Sequence, residues 1–197
     1  MQTRTPTSLG DQYCVFDTAI GPCGVAWSER GLTRLQLPER DRSATEQRLQ
    51  AGAARSGGTA PAAIARLIAD IQSYMTGRSM DFAAVVIDLA EIEPFGRKVY
   101  EAARAIRWGE TLSYGELARQ IGMPGAARPV GHALSRNPVP IIIPCHRVLA
   151  NGHRVGGFSA YGGTLAKQRL LALEGVRVDS DTPLLPGINW NRMRGMG

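Results

Sequence analysis

The proline-rich segment 137–148, NPVPIIIPCHRV, constrains the fold more than any other stretch of the chain. Proline fixes φ and disfavours a helical conformation at the residue before it, so Pro138 and Pro140 predict an extended backbone. The three isoleucines that follow have to be buried, and Pro144 excludes a simple helical start. The segment is therefore predicted to hold Cys145 rigidly, at the end of a strand-like stretch.

The residues next to Cys145 indicate a reactive thiol. His146 and Arg147 follow it directly, and a thiol beside a base and a cation is favoured as the thiolate, the form that attacks electrophiles. The alternative is structural, because unpaired cysteine is commonly a small buried hydrophobic residue. The proline-rich context favours the nucleophile.

Two short helices are predicted just before this segment. Ser113 and Glu116 form the Ser-x-x-Glu pattern of a capping box, and a glycine-bearing turn leads to a further helix over Ala126–Ser135. Pro129 fits that helix only in its first turn. The spacing is typical of a helix-turn-helix, although ordinary helical hairpins share it. Gly131 costs about 1 kcal/mol relative to alanine in mid-helix, which indicates close approach by another helix or by a ligand.

The first ninety residues show the alternation and turn residues of a sheet, with helical spacing between. Strands are predicted over Tyr13–Ile20, Gly24–Ser28, Leu32–Leu37 and Ala84–Leu89, the last of them buried in the same sheet. Helices are predicted in 41–55, from Pro61 to Gly77 and over 95–106, with a flexible joint at 51–60.

Composition places the chain among soluble globular proteins. Hydrophobic residues make up 44% and charged residues 20%, which excludes a predominantly disordered or fibrous chain. No apolar run approaches the roughly 18 residues of a membrane helix, and the N-terminus lacks a signal-peptide core, so a cytoplasmic protein with no membrane association is expected. The cysteines Cys14, Cys23 and Cys145 are too few for a disulfide framework, and no compact Cys/His spacing indicates a metal.

The net charge of +6 is unevenly distributed. Residues 1–91 carry nine basic and ten acidic residues, whereas residues 92–176 carry eleven basic and five acidic ones. The positive charge therefore lies in the half with the predicted helix-turn-helix and Cys145, where it favours a polyanionic partner.

RNPVPIIIPCHRV, preceded by TLSYGELARQIG and GAARPVGHALS and followed by VGGFSAYGG, closely resembles the O6-alkylguanine-DNA alkyltransferases, also called methylated-DNA–protein-cysteine methyltransferases. The resemblance covers about residues 94–176, and the strand-rich first ninety residues look like the divergent N-terminal domain of that family. It implies an α/β fold plus helices: a ribonuclease H-like domain over 1–91, a winged helix-turn-helix catalytic domain over 92–176 and a tail over 177–197.

The resemblance assigns roles to four residues of the reaction centre. Cys145 is similar to the alkyl acceptor, and His146 to the base that deprotonates it through a water. Glu174 resembles the carboxylate that orients this histidine, and Asn137 the residue that pins the turn before the reactive cysteine.

Further residues match the substrate pocket of the family. Tyr114 resembles the donor to guanine N3. Ser159 falls where a hydrogen bond to the lesion oxygen is made, although Tyr161 is an alternative lining residue, and Lys167 falls where a lysine supports the active-site loop. Val155 and Gly156 would complete the pocket.

Arg128 resembles the finger that enters the base stack and holds the gap left by an extruded nucleotide. The DNA-facing surface would comprise Ala126, Ala127, Arg128, Gly131 and Arg136. The resemblance thus implies a monomer that binds double-stranded DNA carrying O6-alkylguanine through the minor groove, with little sequence preference.

The implied activity is DNA repair without a cofactor: one alkyl group is moved from O6 of guanine, and from O4 of thymine, to Cys145. Three alternatives are weaker. A lesion-binding relative without activity would lack the cysteine, and a Cys-His hydrolase would not explain the helix-turn-helix. A sequence-specific transcription factor would need base-reading side chains on the helix 126–135.

Overall fold

A computed structural model of the chain describes residues 12–51, 55–56 and 60–178. The N-terminal half contains a four-stranded sheet in the order β3-β2-β1-β4. Its strands are β1 (Gln12–Thr18), β2 (Gly21–Ser28), β3 (Gly31–Gln36) and β4 (Arg55–Ser56). The first three form an antiparallel meander and β4 runs parallel to β1, so the three predicted N-terminal strands are confirmed.

The first turn lies inside the predicted strand Tyr13–Ile20, because β1 ends at Thr18. Residues 19–20 form it, and Gly21 and Pro22 already pair with β1. The second turn depends on Gly31, whose φ of 136° strains any residue with a Cβ, and a Cβ there would lie 2.7 Å from the Val86 oxygen.

Two helices accompany the sheet. Helix α1 (Arg42–Gln50) begins at Asp41, whose carboxylate accepts a hydrogen bond from the Ala44 N–H, and it ends five residues before the predicted limit. Helix α2 (Ala62–Tyr74) follows Pro61 as predicted. Its apolar stripe at helical spacing is buried against the sheet and the C-terminal half: Ile64, Leu67, Ile71 and Tyr74.

The prediction of a buried strand over Ala84–Leu89 was wrong. Ile87 forms only an isolated bridge to Leu32, and Val86 is among the most exposed large hydrophobic residues described. Two backbone hydrogen bonds join this run to Leu32: the Leu32 N–H donates to Val86 O, and the Asp88 N–H donates to Leu32 O. A short apolar run satisfies several conformations, and here it lies along a sheet edge without completing a strand.

The predicted flexible joint at 51–60 falls largely outside the described residues, and its described part includes the short strand β4. Of the predicted tail over 177–197, only residues 177–178 are described.

The C-terminal half consists mainly of helices. They are α3 (Pro94–Arg104), α4 (Tyr114–Gln120), α5 (Ala127–Ser135) and α6 (Gly163–Leu173). Two-residue strands β5 (Leu112–Ser113) and β6 (Val148–Leu149) pair in parallel. The capping box at Ser113 is present, and α5 begins where Pro129 allows, so the two predicted helices are confirmed.

One apolar core joins the two halves. It contains Trp27 and Tyr74 from the N-terminal half together with Tyr100, Ile143 and Leu170 from the C-terminal half. At the edge of the sheet, the Leu35 N–H donates to Pro138 O over 2.9 Å, which attaches β3 directly to the proline-rich segment. Across the described ranges, no helix has the length and apolar character required to cross a bilayer.

Candidate active site

The proline-rich segment folds into a tight turn, which corrects the strand-like path predicted for it. Ile141 has φ 74°, Pro140 and Ile143 form an isolated bridge, and the Ile143 N–H donates to Val139 O over 2.9 Å. Cys145 then begins a 3-10 turn over Cys145–Arg147. Prolines restrict φ without enforcing a strand, and burial of the isoleucines is compatible with a turn whose positive φ is held by surrounding contacts.

Asn137 holds this turn closed. Its Nδ2 donates to Ile143 O over 2.7 Å and to Cys145 Sγ over 3.1 Å, while its Oδ1 accepts from the Val139 N–H over 3.0 Å. One amide side chain therefore fixes the backbone on both sides of the isoleucines and contacts the thiol itself.

Behind the thiol lies a buried charge cluster. Nε2 of His146 is 2.8 Å from Glu174 Oε1. Arg147 donates to both oxygens of Glu174 at 2.9 Å and also bonds the Ile106 carbonyl. Burial alone would raise the pKa of Glu174, but the contact with His146 and then the bidentate bonds from Arg147 hold it at about 2, below its ordinary value. Glu174 therefore remains a carboxylate.

The cysteine is not held as a thiolate, which corrects the expectation drawn from its neighbours. Burial raises the pKa of the Cys145 thiol, and the Asn137 N–H and the charge of Lys167 lower it by less. Arg147 follows Cys145 in sequence but points to Glu174, so its charge is neutralised there. The thiol needs a base, and burial keeps the pKa of His146 below its ordinary value, so that its imidazole is neutral.

Tyr114 and Lys167 form a second polar group near the thiol. Nζ of the buried Lys167 donates to Val148 O over 2.6 Å and to Tyr114 Oη over 3.5 Å, and burial lowers its pKa to about 8. The Tyr114 ring lies beside two glycines: a Cβ on Gly131 would be 3.6 Å from it, and one on Gly156 would be 3.3 Å from it. The distance at Gly131 is an ordinary van der Waals contact, so the packing of α5 against Tyr114 does not itself require glycine there.

A cavity of about 360 Å³ opens at the cysteine. Its lining includes Cys145, Asn137, Pro140 and Ser159 on one side and Arg34 and Arg48 from the N-terminal half on the other. Ser159 is exposed, as expected of a residue at the mouth. Tyr161 is 56% exposed and does not line this cavity.

Comparison with known proteins shows which family the chain resembles. A model of the family described as "6-O-methylguanine DNA methyltransferase, DNA binding domain" matches residues 94–176. The methylated-DNA–protein-cysteine methyltransferase of Mycobacterium leprae is 41% identical over 161 residues, which cover 81% of this chain and 89% of the relative. The crystal structure of Mycobacterium tuberculosis OGT in complex with DNA is 35% identical, with a TM-score of 0.67 over 86% of this chain and 96% of that one.

The chain belongs to the methylated-DNA–protein-cysteine methyltransferases.

Membership of the methyltransferase family confirms the resemblance and makes the chain a DNA-repair transferase that acts on DNA. The relatives' similarity also extends into the N-terminal half, since it covers about four fifths of the chain, more than the 94–176 of the family model. The mixed α/β content of the chain agrees with that of the solved structures.

The structure brings together the four residues assigned to the methyltransferase centre. Asn137 contacts Cys145, and His146 contacts Glu174, but no hydrogen bond joins the two pairs within the described chain. Nδ1 of His146 is buried and has no hydrogen-bond partner among the described residues. That nitrogen is therefore free to accept a proton.

The residues assigned to DNA contact lie along α5 and at its ends. Ala126 and Ala127 are half-buried at its N-terminus, Arg128 is exposed in its first turn, and Arg136 is exposed at its C-terminal cap. Val155 is half-buried in the loop that follows β6, next to Gly156.

Sequence reasoning missed Tyr74 at this site. Its hydroxyl donates to Glu174 Oε1 over 2.6 Å and lies 3.2 Å from His146 Nε2. Tyr74 lies in the apolar stripe of α2, inside the helix predicted from Pro61 to Gly77, and no polar role was expected of it. The phenol at the end of that stripe was the available signal, since a buried tyrosine hydroxyl needs a partner.

The other two cysteines lie in the sheet, away from this cavity. Cys23 is buried, and burial raises the pKa of its thiol to about 12. Cys14 is half-buried on the neighbouring strand.

Proposed function

We propose that the chain repairs duplex DNA by transferring the alkyl group on O6 of guanine to Cys145 in one displacement, and that the thioether formed is permanent. The observation that carries this proposal is the placement of Cys145 Sγ on the wall of the cavity, against Asn137 and in front of the buried His146–Glu174 pair. No step in this chemistry regenerates the thiol, so each molecule acts once and needs no cofactor.

The proton of the thiol is the first requirement. Because the pKa of Cys145 is raised, the reaction needs a base, and Nδ1 of His146 is the unpartnered nitrogen beside it. A single bridging water carries the proton from Sγ to Nδ1. Glu174 then holds the imidazolium through Nε2.

Sulfur next attacks the alkyl carbon from the side opposite O6. The S–C bond forms as the C–O bond breaks, and the electron pair of that bond moves onto the purine. Tyr114 donates its hydroxyl proton to N3 of the departing guanine, since Lys167 occupies a lone pair of Oη and leaves the O–H free. Ser159, at the mouth of the cavity, donates to the lesion oxygen.

The alkylated guanine reaches the cavity only after it leaves the duplex, because base stacking keeps its alkyl group away from a buried thiol. Arg128, exposed in the first turn of α5, fills the gap in the stack. The small residues Ala126, Ala127 and Gly131 let this helix approach the minor groove, and Arg136 binds the backbone. A helix with few base-reading side chains reads little sequence, as a search for lesions requires.

The domain boundaries at 91 and 176 remain part of this proposal, as do a ribonuclease H-like N-terminal domain and a winged helix-turn-helix catalytic domain. The strand order β3-β2-β1-β4 supports the first, and the α4-turn-α5 segment beside the β5–β6 pair supports the second. We further propose a monomer that accepts O4-alkylthymine, since the same displacement at oxygen applies.

Intact mass spectrometry after incubation with duplex DNA carrying O6-methylguanine tests the proposal. One added methyl group, about 14 Da, on the peptide that contains Cys145 is expected. Cys145→Ser should give no adduct, and a second equivalent of DNA should add nothing. Freshly reduced protein that stays unmodified would contradict the activity, and an adduct on Cys14 or Cys23 would contradict the site.

A further inference from the structure

Tyr74 reaches the reaction centre from the N-terminal half. It is the last residue of α2, it is completely buried, and its ring packs edge-on against Trp108 with centroids 5.3 Å apart. Its hydroxyl lies 2.6 Å from Glu174 Oε1 and 3.2 Å from His146 Nε2. One phenol oxygen is thus within hydrogen-bond distance of both members of the catalytic pair.

The direction of each hydrogen bond follows from the charge of Glu174. An ionised carboxylate only accepts, so Tyr74 and His146 must both donate to Oε1. His146 consequently carries its proton on Nε2. The Tyr74 proton is used on Glu174, so Oη presents a lone pair towards the Nε2–H.

This arrangement selects one tautomer of the histidine. If the proton were on Nδ1, the Nε2 lone pair would face the carboxylate at 2.8 Å and the phenol oxygen at 3.2 Å, which is repulsive. With the proton on Nε2, all these contacts are favourable and Nδ1 is left as the acceptor. The base proposed above needs this tautomer.

From these contacts we infer that Tyr74 is a positioning residue for alkyl transfer, which holds the Glu174 carboxylate and orients the ring of His146 with its Nε2–H towards that carboxylate. The inference rests on the proposed role of His146 as the base. It also gives the N-terminal half a part in the chemistry, since Tyr74 belongs to α2 and contacts both His146 and Glu174.

The charged groups around His146 come from three elements. Glu174 and Lys167 belong to α6 and its cap, Arg147 and Cys145 to the 3-10 turn, and Tyr74 to α2. Removing the Tyr74 hydroxyl leaves Glu174 with one donor fewer. The negative charge of Glu174 then acts more strongly on the imidazole, which raises the pKa of His146. Loss of the 3.2 Å contact between Tyr74 Oη and His146 Nε2 acts in the opposite direction, but loss of the 2.6 Å bond to Glu174 has the larger effect.

Tyr74→Phe tests this inference in the full chain. Single-turnover rates with free O6-benzylguanine and with methylated duplex should fall together by about tenfold, and duplex affinity should not change. Ring-nitrogen NMR should show the Nε2–H tautomer for His146 in the wild type, and a raised pKa of His146 in the variant.

Two control variants separate positioning from packing. Tyr13→Phe removes the hydroxyl of another buried tyrosine, which donates to Glu46 over 3.1 Å and is not part of the cavity lining, and should leave the rate unchanged. Phe82→Leu loosens the ring packed 5.9 Å from Tyr74 without touching the hydroxyl, and should lower stability with no change in the pKa of His146.

Equal rates for Tyr74→Phe and Tyr13→Phe would overturn the inference. So would a Nδ1–H tautomer in the wild type, a result that needs no variant to fold. If Cys145 of the wild type becomes methylated by DNA while His146 carries its proton on Nδ1, the role of Tyr74 is refuted and the proposed repair activity still holds.

Discussion

Gly156 lies against the face of Tyr114, so that a Cβ at position 156 would stand 3.3 Å from both Cε2 and Oη of that tyrosine. The next residue, Gly157, has open space at the same place. Neither glycine has a positive φ, so alanine at either position changes space and not backbone conformation. The two positions therefore form a matched pair.

Gly156→Ala should displace the Tyr114 hydroxyl by a few tenths of an ångström and slow transfer by about tenfold, since donor placement controls stabilisation of the leaving base. Gly157→Ala should react at the wild-type rate. Single-turnover kinetics on free O6-benzylguanine measure both without involving DNA. Equal rates for the two variants would mean that Tyr114 is not held by this contact.

Arg128→Ala should distinguish extrusion from chemistry. Arg128 is exposed and touches nothing in the cavity, so its loss should leave the rate with free O6-benzylguanine within about twofold of the wild type. The rate with duplex DNA should fall at least about tenfold, because the gap in the stack is no longer filled. Arg66→Ala removes an exposed arginine from α2 and serves as the charge-matched control. Equal losses on the two substrates would remove the extrusion role.

Local signals predicted much of the fold. The stripe on α2, the capping box at Ser113 and the limit that Pro129 sets on α5 all depend on neighbours within a few residues, and all three were confirmed. The run Ala84–Leu89 failed because its length and composition do not decide whether an adjacent strand is available. The strand-like path predicted for the proline-rich segment also failed. The φ of 74° at Ile141 is imposed by the closed turn around it, which local sequence does not encode.

Some features of the site were also predicted from the sequence, and others were not. Cys145, His146, Asn137 and Glu174 were assigned by resemblance, and the structure brings the thiol to Asn137 and the imidazole to Glu174. The thiolate state predicted for Cys145 from its sequence neighbours was wrong, because the Arg147 side chain is paired with Glu174 and not with the thiol. The bond from Tyr74 spans 100 residues, and no periodicity encodes which carboxylate a buried phenol will meet.

Glu174→Gln should slow transfer by about a hundredfold while duplex affinity stays near the wild-type value. The amide no longer stabilises the imidazolium, and it leaves the Arg147 guanidinium buried without its counter-charge. The variant should therefore also lose about 3 kcal/mol of unfolding free energy. Asp88→Asn removes a carboxylate paired with the exposed Arg30 and should change neither rate nor stability by as much. A matching loss of DNA affinity in Glu174→Gln would show a purely structural role.

The lowered pKa of Glu174 predicts how the unfolding free energy depends on pH. Glu174 titrates at about 2 in the folded chain and near 4.5 when unfolded, so its contribution is complete above about pH 4.5 and is lost as the pH falls towards 2. The shift corresponds to about 3 kcal/mol. His146 acts in the same direction from about pH 6.5, because the unfolded chain binds that proton first. Urea unfolding between about pH 7 and pH 3 should show a steeper loss of stability for the wild type than for Glu174→Gln, which has no group to titrate there. Parallel curves for the two proteins would contradict the depressed pKa of Glu174.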